Sequence, residues 1–280
     1  MKKFLSLAVS AGMAVSAGAH DFDHGRDRDD FGSQVESLAK WQSYSLFGIA
    51  GTLDASSAPQ RTATELEANP ARAITVAARS VPLAVAAADV VVLAASPRTN
   101  RRLLSQVARA ARPGTTLTDV GSVKRGICAD ARRRGLRSFV GGHPMAGREA
   151  SGFAASKPDL FQGRRWILTP DADAAPASVR AVRALVRAVG ARPVVMSPAE
   201  HDRAVAFLSH VPQVVAWALF GAAQKDRVAK AHLDVAGPAF RDMTRLWRSP
   251  KPLWREILLE NRAEVDAALR ALVAQLRRSV

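Results

Sequence analysis

The chain has 280 residues, 48% hydrophobic and 23% charged, and its 40 Lys and Arg against 25 Asp and Glu give a formal net charge of +15. That is a globular balance, long enough for two domains with their own cores. The single cysteine, Cys128, excludes an intrachain disulfide and a thiolate metal cluster, and the dispersed arginines, without interleaved aromatics, read as solvated helix faces rather than a nucleic-acid surface.

Lys2-Lys3 precede the apolar run from Phe4 to Val15, and Ala17-Gly18-Ala19 has the small residues of a cleavage site, so the first residues read as a secretory signal. The run is too short to span a bilayer. The charged stretch from His20 to Asp30 cannot bury a core. Residues 1–31 are therefore expected to be a disordered leader. His20 and His24 form the one close histidine pair, and no metal site is expected there. No other segment reads as apolar enough to cross a membrane. Residues 33 to 50 show weak helical periodicity, Pro59 and Pro70 punctuate a polar region, and a short helix fits Thr62 to Ala68.

From Ala73 the signal clears. Ala88 to Ala95 is a β-branched apolar run ending at Ser96-Pro97, as in a parallel strand buried on both faces. Residues 99 to 111 read as an amphipathic helix and Pro113-Gly114 as a turn. Thr115 to Val120 read as a strand, Lys124 to Arg134 as a helix and Ser138 to Gly142 as a third strand. Trp166 to Pro170 and Arg192 to Met196 read as further strands around a helix from Pro176 to Val189. This alternation predicts an α/β, doubly wound domain over residues 32–198. From Ala199 to residue 280 the chain reads as helical, with breaks at Pro212, Gly237-Pro238 and Ser249 to Pro252.

Four groups of residues are candidates for chemistry. Ser122, just past a strand and beside Gly121, is either an oriented donor for an anion or carbonyl, or a helix N-cap. His143 follows two glycines that leave the strand end open to a ligand, and it precedes Pro144. It is either an acid–base group or a structural histidine bonded to a loop carbonyl. His210 and Gln213 are three apart and share a helix face near Pro212. His201 reads as a surface residue with Asp202 as its local partner, His232 carries no motif, and Cys128 reads as a small core residue. Arg241 to Arg245 lie on a short helix whose apolar face is Phe240, Met243 and Trp247. One arginine there suits a carboxylate, and the other suits a structural pair with Asp242.

Six blocks occur in order: ADVVVLAASP, TDVGSVK, GGHPMAGRE, GF…LF.GRRWILTP, EHDRAVAFLSHVPQ and AGPAFRDMTRLWRSPKPLWREILLENR. Together they resemble the prephenate and arogenate dehydrogenase family of tyrosine biosynthesis from Ala88 to the C-terminus. The resemblance implies a Rossmann-like dinucleotide-binding domain followed by an all-helical dimerisation domain. It also implies NAD or NADP as cofactor, prephenate or arogenate as substrate, a homodimer, a cytoplasmic setting and no membrane partner. Position by position it gives His143 the proton of the ring hydroxyl, with Ser122 holding that histidine and touching the nicotinamide. Arg245 takes a substrate carboxylate and separates itself from Arg241, which is left to Asp242. Gln213 stands where some members have a histidine that reads the substrate side chain. Glu149, His210 and Trp254 match active-site or supporting positions, and Ser96 and Pro97 border the cofactor. No separate regulatory domain is expected after residue 280.

One part of the family pattern is missing. The only candidate for the GxGxxG loop is Leu46 to Gly51, with leucine at the first glycine. Gly51-Thr52-Leu53-Asp54 better matches the end of the second strand, with Asp54 on the ribose. The leader is thus expected to be foreign, a fusion, frameshift or displaced start. A non-catalytic dimeric relative is the alternative function.

Overall fold

The computed structural model describes residues 4–7, 15–17, 76–78, 85, 88–147 and 159–279, with side chains from residue 85 onward. The chain divides into two compact units, Met1–Pro198 and Ala199–Val280.

In the first unit a six-stranded sheet runs in the order β1-β4-β5-β6-β7-β8. Its strands are β1 (Phe4–Leu7), β4 (Val90–Leu93), β5 (Thr116–Asp119), β6 (Phe139–Pro144), β7 (Arg165–Pro170) and β8 (Arg192–Val195). β2 (Val15–Ala17) and β3 (Val76–Ala78) form a separate antiparallel pair. The sheet is parallel from β1 to β6, antiparallel between β6 and β7, and parallel again between β7 and β8.

Strand alternation divides the core between the two faces of the sheet. Val91, Leu93, Leu117 and Phe139 pack with Leu104 and Val107 of α1 (Pro97–Ala110) and Ile127 of α2 (Arg125–Arg133). Val90, Val92, Val140 and Leu168 pack instead with Val182 and Val186 of α3 (Pro176–Ala188). Helices on both faces bury the sheet, which is why its strands read as continuous apolar runs rather than alternating ones.

Of the leader, residues 1–31, the described residues are 4–7 and 15–17, and the rest lies outside them. Phe4–Leu7 pairs in parallel register with Val90–Leu93, and Val15–Ala17 pairs with Val76–Ala78. The physical reason is the edge that β4 would otherwise leave open, a row of unpaired backbone groups that any short apolar segment can satisfy.

The second unit is helical: α4 (Pro198–Val205), a π turn (Ala206–His210), α5 (Val211–Lys225), α6 (Arg227–Ala231), α7 (Pro238–Thr244), α8 (Lys251–Glu260) and α9 (Arg262–Ser279), with short 3₁₀ turns at Leu233–Val235 and Arg245–Arg248. Its apolar core joins Ala206 and Val211 to Val265 and Ala268. Pro212 does not break the helix. The π turn before it shifts the bonding so that the Val211 N–H reaches the Ala206 carbonyl, which absorbs the proline within a continuous rod.

The continuous rod from Pro198 to Lys225 is long and apolar enough to cross a membrane by length and composition, which corrects the sequence reading that no such segment follows the leader. It also carries the fully buried polar residues His201, Asp202, His210 and Gln213, the mark of a helix packed against protein.

Candidate functional site

In the first unit the polar groups gather where β4, β5 and β6 end. Asn100, 1% exposed, clasps the loop after β4: its side-chain oxygen accepts from the Ala95 N–H at 2.8 Å and its amide nitrogen donates to the Leu93 carbonyl. This clasp fixes Ser96, whose hydroxyl bonds Thr99 Oγ1 at 3.1 Å, and Pro97, the first helical residue of α1.

The loop after β5 is organised by a buried ion pair. Lys124 is 0% and Asp119 1% exposed, and the Lys124 ammonium lies against Asp119 Oδ2. Lys124 Nζ also donates to the Gly142 carbonyl at 2.8 Å. Asp119 accepts from the Gly121 N–H at 2.9 Å and from the Gly142 N–H at 3.0 Å. Desolvating two charges costs several kcal/mol each, and the further bonds to the Gly121 and Gly142 backbone offset part of that cost.

Ser122 lies inside this loop, half-buried. It is not the helix cap that the sequence offered as an alternative: α2 starts at Arg125, its cap position is Lys124, and no side chain caps it. The bond from the Gly121 N–H back to Asp119 delays the helical turn past the serine, so the hydroxyl is not spent on capping.

His143 is 9% exposed and lies within β6, opposite Ile167 of β7, rather than on a loop. The two glycines before it do not leave the strand end open. A Cβ on Gly141 would stand 2.3 Å from Thr169 Oγ1 and 3.0 Å from Cys128 Sγ, and one on Gly142 would stand 2.5 Å from the Asp119 carbonyl. They are glycines because the Thr169 and Cys128 side chains at one position and the Asp119 backbone at the other fill the space that side chains would need.

In the second unit His201 is fully buried, where the sequence suggested a surface residue. The predicted pairing with Asp202 is present at 2.7 Å, and the pair shields both groups from water. Asn261 joins two segments, donating to the Asp202 carbonyl at 2.7 Å and to His210 Nδ1 at 3.2 Å. An amide nitrogen only donates, so Nδ1 of His210 accepts and the ring proton belongs on Nε2. Burial lowers the His210 pKa to about 4, against the attraction of Asp202 and with the help of His201. Trp254 meets the His210 ring edge-on at 6.0 Å, and Trp217 meets Trp254 at 6.4 Å.

Gln213 is 0% exposed, and its Nε2 donates at 2.7 Å to the carbonyl of Leu246, one residue after Arg245. Its Oε1 is buried with no hydrogen-bond partner among the described residues. A buried acceptor left unmet costs roughly 1–3 kcal/mol, which marks it as a place where a ligand donor would be welcomed.

Arg245 opens the 3₁₀ turn and is exposed. The structural pair expected between Arg241 and Asp242 is not formed among the described residues; both are exposed, because adjacent helix positions point apart. Of the apolar face assigned to that helix, Trp247 stacks on Phe220 at 4.0 Å and Phe240 lies 6.5 Å from the same ring, whereas Met243 is 57% exposed. Glu149, Asp54 and the Leu46 to Gly51 segment lie outside the described residues.

Sequence reasoning passed over Asp119, Lys124, Asn100 and Asn261. The available signal was a polar or charged residue set within an apolar run at an element boundary, as Lys124 is after Val123.

Residues 56–195 match the nucleotide-binding domain of prephenate dehydrogenase, and residues 197–279 match its dimerisation domain. The chain is 38% identical over 152 residues to the prephenate dehydrogenase of Bacillus subtilis, covering 53% of this chain and 41% of that one. It is 30% identical over 198 residues to the cyclohexadienyl dehydrogenase of Zymomonas mobilis, covering 70% and 68%. Among solved structures, the prephenate dehydrogenase of A. aeolicus in complex with hydroxyphenyl propionate and NAD+ superposes with a TM-score of 0.65 at 27% identity, covering 88% of this chain and 84% of that one. The chain spans less than half the length of the first curated relatives it matches.

Proposed function

Because this chain belongs to the prephenate dehydrogenase family, we propose that it oxidises prephenate or arogenate, passing a hydride to NAD or NADP with loss of carbon dioxide. The observation that supports this reading is the position of Ser122 just after β5 and of His143 near the end of the adjoining β6, where open α/β sheets bind ligands.

At the nicotinamide end the described residues fit the cofactor. The clasped Ser96–Pro97 loop and the Ser122 loop are polar rims at the carboxyl ends of β4 and β5. The nicotinamide, when bound, is the hydride acceptor. At the pyrophosphate end the fit fails in sequence: Phe4–Leu7, the strand beside β4, is followed by Ala8-Val9-Ser10-Ala11-Gly12 rather than GxGxxG.

His143 takes the proton from the ring hydroxyl as the carbonyl forms, and Ser122 orients the histidine and that oxygen. Arg245 holds a substrate carboxylate through its planar fork. Gln213 and His210 offer an acceptor and, through Nε2–H, a neutral donor to the substrate side chain, with Trp254 packed behind and Glu149 assisting. Asp54 takes the cofactor ribose. The second unit joins two copies into a homodimer, and the enzyme works in the cytoplasm, beside the nicotinamide pool.

The test is reduced-nicotinamide absorbance with each of NAD and NADP against prephenate and arogenate. A rate is expected, with His143→Ala lowering kcat by about 10²-fold or more. Folded protein giving no rate in all four combinations would overturn the reading. It would favour the second one, a non-catalytic dimeric relative, for which the missing glycine loop is the supporting observation.

A further inference from the structure

The ladder between β5 and β6 stops early. Its register pairs are Leu117 with Phe139 and Thr118 with Val140, yet β6 continues to Pro144 along β7. β5 itself ends at Asp119, so beyond Val140 no further register pair forms and the β5-side backbone groups of Gly142 have no strand residue to pair with. Both are met by the ion pair instead: the Gly142 N–H by Asp119 Oδ1 at 3.0 Å and the Gly142 carbonyl by Lys124 Nζ at 2.8 Å. His143 is the next residue. The same carboxylate holds the Gly121 N–H at 2.9 Å, immediately before Ser122.

We propose that Asp119 and Lys124 are positioning residues that stand in for the missing ladder and aim Ser122 and His143 at the reacting ring. The proposal rests on the reading of those two as the reacting groups. Stability alone is a poor reason to bury this pair, since well-packed apolar residues in the same volume commonly do as well or better. Gly142 fits the same logic: a side chain there would collide with the Asp119 carbonyl, whereas one at position 141 would meet Thr169 Oγ1 at 2.3 Å before it reached the Lys124 stem at 3.3 Å. The close approach of the loop to β6 requires that position 142 lack a Cβ.

Lys124→Met keeps the length of the stem and removes the bond to the Gly142 carbonyl, but it strands the Asp119 charge. The double variant Asp119→Asn with Lys124→Met removes both charges; its one amide oxygen can serve only one of the two N–H groups, which the carboxylate meets with different oxygens. Folding is followed by circular dichroism and thermal melting, and kinetics with the better substrate. The expected result is a folded double variant with kcat lowered about tenfold to a hundredfold and KM within about threefold, because a displacement of the reacting group is felt in the chemical step. A purely structural pair would lower the melting temperature and leave kcat per folded molecule unchanged. A folded variant, single or double, with kcat within about threefold of wild type overturns the proposal, and so does a double variant that cannot fold. An inactive wild type overturns the dehydrogenase reading itself and this proposal with it, a different outcome from an active wild type with an indifferent variant.

Discussion

His210 and Gly142 show how much a single residue's environment decides. Histidine ordinarily titrates near neutrality, but burial takes His210 to about 4. Unfolded chains therefore bind more protons than folded ones between pH 6.5 and about 4, and stability must rise with pH across that window. It is fully present above 6.5 and is lost as the pH falls toward 4. The difference corresponds to about 3 kcal/mol at the acid end. Urea unfolding at stepped pH values checks this, and His210→Gln should flatten the slope. At Gly142 the added methyl of an alanine would stand 2.5 Å from the backbone oxygen of Asp119, an atom that cannot turn away. Gly142→Ala is expected to cost about 1–3 kcal/mol of stability by the same unfolding measurement.

Among the elements, α3 shows local chemistry agreeing with the fold. The helix opens on Pro176, ends at Ala188, and the chain leaves it through Gly190 at φ +74°, where a side chain is strained. Gly190→Ala should lower stability by about 1 kcal/mol, read as a shift in urea midpoint with no change in slope. The three nearest atoms there belong to the Gln162 side chain, which can move aside. β6 shows the opposite case. Its glycines read as openness in the sequence and prove to be sites of close packing, because what fills them comes from Asp119, Lys124, Cys128 and Thr169.

For the whole molecule, the net charge of +15 and the match to a dimerisation domain lead to two expectations. On the proposed function the partners are a dicarboxylate and a dinucleotide, which a positive field attracts, and salt screens it over about 10 Å at 0.1 M. kcat/KM should therefore fall as sodium chloride is raised, chiefly through KM; an ionic-strength-independent value would remove the steering argument. Sedimentation equilibrium should give about twice the 29.9 kDa chain mass. A monomer at micromolar concentration would contradict the homodimer.

The α/β alternation, the change to helix near residue 198 and the blocks that identify the family were all legible in the sequence. Each is written locally, in strand-length apolar runs, helical spacing and turn residues that neighbours in the chain decide. Ser122 and His143 were visible as residue types at strand ends, but their settings were not. Tertiary structure alone determined that β6 passes β5 and needs a side-chain substitute for its ladder. It alone determined that Lys124 is wholly buried, and that Asn261 reaches His210 across 51 residues of chain. Those facts depend on which distant groups meet, and a buried charge or an unmet carbonyl is defined by its surroundings rather than by its neighbours in sequence.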